Sequence, residues 1–109
     1  MVYIIVTAWY PVHKAMEVGK KFLEVVKKYP PSKSPGKEII PVAVSSGKDG
    51  LKVISVIEVA DGDAQTFSDA LTQTNREIVE YMSIEGFKYK IRVWGSIQRG
   101  MELLGLKAP

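Results

Sequence analysis

The stretch Phe87 to Ser96 (FKYKIRVWGS) alternates, strictly as far as Val93, between apolar and cationic side chains. A period of two is the mark of a strand whose two faces meet different surroundings. As a strand it puts Phe87, Tyr89, Ile91 and Val93 on one side and Lys88, Lys90, Arg92 and Trp94 on the other. The chain must therefore build a sheet with one face buried and the other cationic and aromatic. Val2 to Tyr10 (VYIIVTAWY) is rich in β-branched and aromatic residues and predicts a second such strand. It divides into Val2, Ile4, Val6 and Ala8 against Tyr3, Ile5, Thr7 and Trp9.

The remaining elements follow from punctuation and periodicity. Pro11 suits the first turn of a helix. Val12, Ala15, Met16, Gly19, Phe22, Leu23, Val26 and Tyr29 then form an apolar stripe at helical spacing, which predicts a helix over Val12 to Tyr29. Gly19 within the stripe is expected to let the helix approach the sheet closely, at about 1 kcal/mol of helix propensity. Pro30 to Lys37 is a breaker-rich loop. Ile39 to Ser46 and Leu51 to Ala60 read as a strand pair around the turn Gly47-Lys48-Asp49-Gly50. Pro41 cannot donate a ladder hydrogen bond, so its strand belongs at an edge. Asp61-Gly62-Asp63 signals a helix start, and the helix should run from Ala64 to Ile84 with Phe67, Ala70, Leu71, Thr74, Ile78, Tyr81 and Met82 inward. Gly86 can end it, and Ile97 to Leu106 predicts a short last helix.

The order strand, helix, strand, strand, helix, strand is met by a ferredoxin-like βαββαβ arrangement. The expected fold class is α+β: one four-stranded antiparallel sheet, two helices on one face, and a short C-terminal helix, all in a single domain spanning residues 1–109. The helix-free face would then carry Tyr3, Ile5, Thr7, Trp9, Lys90, Arg92 and Trp94, with Ile54, Val56 and Glu58 from the third strand. Such a face is too apolar to leave in water and too charged for a dry core. Self-association through it, as a homodimer or higher oligomer enclosing a partly polar cavity, satisfies both constraints.

Composition removes several function classes. There is no cysteine, so there is no disulfide, thiol nucleophile or Cys-ligated metal. The lone histidine, His13, excludes a multi-histidine metal site within one chain. Asp61, Asp63 and Asp69 read as helix-capping and surface acids rather than metal ligands, and no metal or cofactor is expected. No apolar run approaches the roughly 18 residues of a membrane span. No signal peptide is read at the N-terminus, and the expected location is the cytoplasm. Net charge is +3, with Lys20, Lys21, Lys27 and Lys28 crowded on one helix among Glu17 and Glu24. That mixture reads as a solvated helix face and disfavours nucleic acid as a partner.

Two groups of residues could carry chemistry. Lys90 and Arg92 point the same way and suit a carboxylate or phosphate, with arginine offering a two-pronged contact. Tyr3, Thr7, Trp9, Glu58 and Trp94 would complete that ligand-binding face, the tryptophans stacking on a planar molecule. His13, just after the first strand, has an unperturbed pKa suited to acid–base work, with Tyr10 and Glu58 as possible companions.

In element order, strand faces and length, the stretch Met1 to Ser96 resembles the dimeric α+β-barrel superfamily, in which two ferredoxin-like sheets pack into a barrel. The group includes antibiotic-biosynthesis monooxygenases and muconolactone-isomerase-like enzymes. The resemblance implies a small organic ligand in the cleft between sheet and helices or inside the barrel. A haem-degrading subgroup uses a histidine on the second helix, which this chain lacks. The phosphate-binding turn of acylphosphatases and the cysteine pair of metallochaperones are also absent, and Gly86-Phe87-Lys88-Tyr89 echoes the RNA-recognition signature only faintly. The expected function is binding of a small, anionic and partly planar organic ligand on the sheet face. The chemistry would be that of a cofactor-independent isomerase, decarboxylase or monooxygenase with His13 as base. The alternative is a non-catalytic ligand-binding or assembly protein.

Overall fold

A computed structural model describes residues 1–107. Residues 108 and 109, the end of the single domain read from the sequence, lie outside the described residues. The elements are β1 (Val2–Tyr10), α1 (Ala15–Lys28), β2 (Lys37–Gly47), β3 (Gly50–Val59), α2 (Ala64–Val79), β4 (Lys88–Gly95) and α3 (Ile97–Leu103). The sheet order is β2-β3-β1-β4 with every neighbouring pair antiparallel. This is the expected ferredoxin-like α+β fold. β2 lies at an edge, and its register slips between Glu38 and Ile40 and again between Ile40 and Ala43, the interval that contains Pro41. A residue with no N–H to donate is tolerated at such a place.

Register decides the faces, because residues opposite one another share a side. Ile4, Val6, Ala8 and Tyr10 of β1 are buried against the helices, with Ile57 and Val59 of β3. One packed cluster joins Ile4, Ile57 and Val59 to Ala70 of α2, whose small side chain lets that helix sit close. A second joins Val6, Ala8 and Tyr10 to Val18 and Val25 of α1 and to Ile78, Tyr81, Ile84 and Phe87.

Three details depart from the sequence reading. A 3-10 turn over Val12–Lys14 precedes α1, and Pro11 caps that turn instead of entering the helix. On α1 itself the buried residues are Val18 and Val25, whereas Val12, Met16 and Leu23 are exposed. The helix is rotated from the expected stripe: Ala15, Val18, Val25 and Tyr29 form the narrower seam packed on the core, and Phe22 is exposed. Gly19 is exposed, and a Cβ built there meets nothing within 4 Å, so close approach does not explain it. Second, α2 ends at Val79, not Ile84. Beyond it the chain continues in turns that bond Tyr81 to Ile78, Ile84 to Tyr81 and Phe87 to Ile84. A repeat of three stacks those side chains on one side, so all are buried while Met82 is exposed. Third, the hairpin turn is only Lys48 and Asp49, with Gly47 paired to Gly50. Gly50 has φ +118° and a Cβ there would lie 2.6 Å from the Tyr10 carbonyl oxygen, so only glycine fits.

α2 starts as expected, with the Asp63 carboxylate accepting from the Thr66 amide at 3.0 Å. Hydrogen bonding from the Thr66 side chain, with that from its amide, holds the carboxyl below its usual range. Ser96 caps α3 in the same way, through the Arg99 amide. The radius of gyration is 15.6 Å, against about 13 Å for a compact domain of this size. The extents of 49 × 32 × 17 Å describe a long, flat slab with one sheet face open.

Candidate functional site

α2 closes tightly over Ile4 and Val59, but α1 stands away from the β2–β3 half of the sheet. The gap is a cavity of about 560 Å³, bounded by α1, α2, the strands β1–β3 and the turns that follow α2. That volume lies in the range of small-molecule sites. Its floor dips at Ala8 and Ser55, two small residues on the helix side of β1 and β3. Its walls are mainly aliphatic and aromatic.

The polar groups inside are few. Glu38 enters from β2 and Glu77 from α2, and no lysine, arginine or histidine lines the cavity among the described residues. Burial, reinforced by Glu38, raises the Glu77 pKa to about 7. Tyr81, one turn beyond Glu77, is pushed up to about 12 by burial and by the nearby Glu77 and Tyr10. It therefore stays a protonated donor at neutral pH. Burial also raises Tyr10. Tyr81 stacks on Phe87 at 5.0 Å between ring centres, and Tyr10 on Phe87 at 6.4 Å. A carboxyl titrating near neutrality in an apolar cavity is a physical marker of a functional site.

The opposite face of the sheet holds the side chains named from the sequence. Pairing sets them in rows: Lys88, Trp9, Lys52 and Ser45; Lys90, Thr7, Ile54 and Ala43; Arg92, Ile5, Val56 and Ile40; Trp94, Tyr3, Glu58 and Lys37. Tyr3, Thr7, Trp9, Glu58, Lys90, Arg92 and Trp94 thus do share one face. Lys90 and Arg92 lie side by side, and neither has an ion-pair partner among the described residues. Lys52 sits 5.8 Å from the centre of the Trp9 ring. Trp94 is 56% exposed.

Two expected groupings are not formed. Trp9 and Trp94 belong to rows six residues apart, about 20 Å along the strands, and cannot sandwich one planar molecule. Glu58 lies opposite Tyr3, about 23 Å from Tyr10, so it is no companion of His13 within one chain. His13 is exposed on the turn before α1 and does not line the cavity. Tyr10 does line it.

The acids near α2 have local partners. Asp61 pairs with the N-terminal ammonium and Asp69 accepts from Gln65 at 2.8 Å. Among the described residues no cluster of three or more His, Cys, Asp or Glu could hold a metal ion. Lys21 pairs with Glu24 and Lys28 with Glu80, as on a solvated helix face. No helix among the described residues is long and apolar enough to cross a membrane.

Glu38, Glu77 and Ser55 are the site residues that the sequence reading passed over. Their signal was present: Glu77 stands three residues after Thr74 and four before Tyr81, inside the buried stripe, and Ser55 interrupts an apolar strand on its inward side.

No protein-family model matches the chain, and no curated protein matches it. Similar solved structures include a candidate antibiotic biosynthesis monooxygenase from Deinococcus radiodurans. The match has a TM-score of 0.56 and 14% identity, covering 88% of this chain and 92% of that one. They also include a de novo designed protein, Foldit4, with a TM-score of 0.53 and 20% identity over 87% of this chain and 96% of that one. These likenesses bear out the resemblance at the level of the ferredoxin-like α+β fold. A fold shared with a designed protein is a scaffold, and function has to be argued from the site.

Proposed function

We propose that this chain is a self-associating α+β-barrel protein that takes a small, mainly apolar, ring-bearing molecule into the cleft beneath α1. The observation that carries the reading is Glu77, a carboxyl with a pKa of about 7 facing an apolar cavity of about 560 Å³. The anionic ligand expected from the sequence does not suit this cleft, whose ionisable carboxyls are both acids. It suits the other face, where Lys90 and Arg92 can hold an anionic group or the Glu58 of a second copy. The acid–base role passes from His13 to Glu77.

A second reading is favoured by the same carboxyl. At neutral pH Glu77 can both take and return a proton, and Tyr81 remains a hydrogen-bond donor. Those two groups support proton transfer, the chemistry of a cofactor-independent isomerase. Tyr81 would donate to the oxygen on which charge develops.

Ser55→Phe tests the cleft. The larger side chain fills the dip in the floor and should leave the far-ultraviolet dichroism unchanged. Naphthylmethanol, a neutral fluorescent probe, should bind the natural chain and not the variant. A natural chain that ignores the probe, or a variant that binds it equally, would overturn the reading.

A further inference from the structure

We propose that the cleft selects a hydrophobic amine, whose ring-bearing body fills the apolar cavity and whose ammonium group sits between the Glu38 and Glu77 carboxylates. The inference rests on the cleft being a ligand site and adds the chemical class of the ligand.

Three observations converge. First, two carboxyl groups reach one cavity from different elements, Glu38 from an edge strand and Glu77 from a helix, with no cationic side chain lining it among the described residues. Burial, reinforced by the neighbouring Glu38, raises the Glu77 pKa. An ammonium ion between the two carboxyls offsets both the lost hydration and the repulsion. Second, the walls carry Phe22, Tyr10, Tyr29 and Tyr81. Aromatic faces attract a cation that has left water, and repel an anion. Third, a divalent metal is poorly served. It needs about six to eight oxygen ligands, or several retained waters, whereas an ammonium group with three donors is satisfied by two carboxylates and a hydroxyl.

The sign of the pH dependence follows. The titratable groups around Glu77 are Glu38 of β2, Tyr81 beyond α2, Tyr10 of β1 and Tyr29 at the end of α1. Tyr10 and Tyr81, both raised by burial, remain neutral at physiological pH, so Glu77 sets the response. Below about pH 7 Glu77 carries a proton that the amine must displace. Amine affinity should therefore fall as pH drops through 7, while that of a neutral analogue stays level.

The experiment is a titration of the full chain with naphthylmethylamine, naphthylmethanol and naphthylacetate, near pH 8 and near pH 6. The amine should bind about tenfold more tightly than the alcohol at the higher pH, the order of one charge-assisted hydrogen bond. That preference should shrink at the lower pH. It should vanish in the Glu38→Gln, Glu77→Gln double variant, whose undiminished alcohol binding reports an intact cleft. If that variant fails to fold, the amine-to-alcohol ratio in the natural chain decides. Equal binding of amine and alcohol, or preference for the acetate, would overturn the amine inference and leave the cleft standing. Binding of none of the three would overturn both.

Discussion

Ile4 and Ile5 are neighbours in β1 and face opposite sides of the sheet. Ile4 is fully buried, packed with Ile57, Val59 and Ala70 beneath α2. Ile5 lies in an open row between Arg92 and Val56. The helix side is packed at its centre, opens at one acidic cleft, and leaves Tyr89 and Val93 exposed along the edge strand β4. The helix-free side stays open and carries Lys37, Lys52, Lys88, Lys90 and Arg92 around the single carboxylate Glu58. One sheet thus separates a carboxyl-lined cavity from a cationic plate, and the charge of a ligand selects its face. The covered face accounts for the stability of one chain, and the open face is the surface through which we propose that it self-associates.

The sharpest way to break this contrast is to truncate both isoleucines in turn. Ile4→Ala removes a fully buried side chain from a packed cluster and should cost about 2–5 kcal/mol in urea unfolding. Ile5→Ala should cost about 1 kcal/mol or less in the dissociated chain, since water already reaches that row. Equal costs would mean that the two faces are equally enclosed within one chain.

Ile5→Glu tests what the open face is for. A carboxylate at the centre of a self-association surface should weaken it tenfold to a hundredfold, about 1.4–2.8 kcal/mol, while the single chain still folds. Sedimentation velocity would read this as a shift from oligomer to monomer. A natural chain that sediments as a monomer at micromolar concentration would remove the self-association proposal. An oligomer unaffected by Ile5→Glu would move the interface elsewhere on the molecule.

Glu77 sharpens the contrast from the other side. Its folded pKa of about 7 lies above the ordinary 4.5, so the native state holds more protons than the unfolded chain between those values. Stability contributed by this group is complete below pH 4.5 and lost as pH rises toward 7. Allowing for the water that reaches a half-buried carboxyl, the loss is about 1–2 kcal/mol. Glu77→Gln should flatten that slope and make the protein more stable than the natural chain near pH 8. A stability curve with the same slope in the variant would show that Glu77 is not held in an apolar cleft.

The strands were legible because their pattern has only two phases. Once β1 and β4 were split into alternate residues, their share of the open face followed; β3 is apolar on both faces, and only its register with β1 sets Ile54, Val56 and Glu58 on the open side. The helices were less legible for a physical reason. α1 has more apolar residues than one seam can bury, and Met16, Phe22 and Leu23 fall on its exposed shoulder, as does Val12 on the turn before it. No single-helix pattern says which residues win, because the choice is made by the sheet beneath. The cleft escaped for a related reason. It is made by what is missing, a small Ser55 on the floor and a helix standing off the sheet, and by single acids at Glu38 and Glu77 that pattern reading averages away. The cations at Lys90 and Arg92 drew notice because they repeat.

Gly19 offers the smallest effect and the most direct measure of the gap beneath α1. It lies in the helix interior, and a Cβ there has open space on every side within 4 Å. Replacing glycine by alanine in a helix gains about 0.5–1 kcal/mol when nothing obstructs the new methyl group. Gly19→Ala should therefore raise the thermal midpoint by a few degrees. Destabilisation would carry a different meaning. It would place α1 closer to the sheet in solution, as the glycine in the apolar stripe first suggested, and the cavity would be correspondingly narrower than 560 Å³. Because helix propensity favours alanine whatever the tertiary contacts, the sign of this one substitution reports whether the covered face is closed throughout or open at one end.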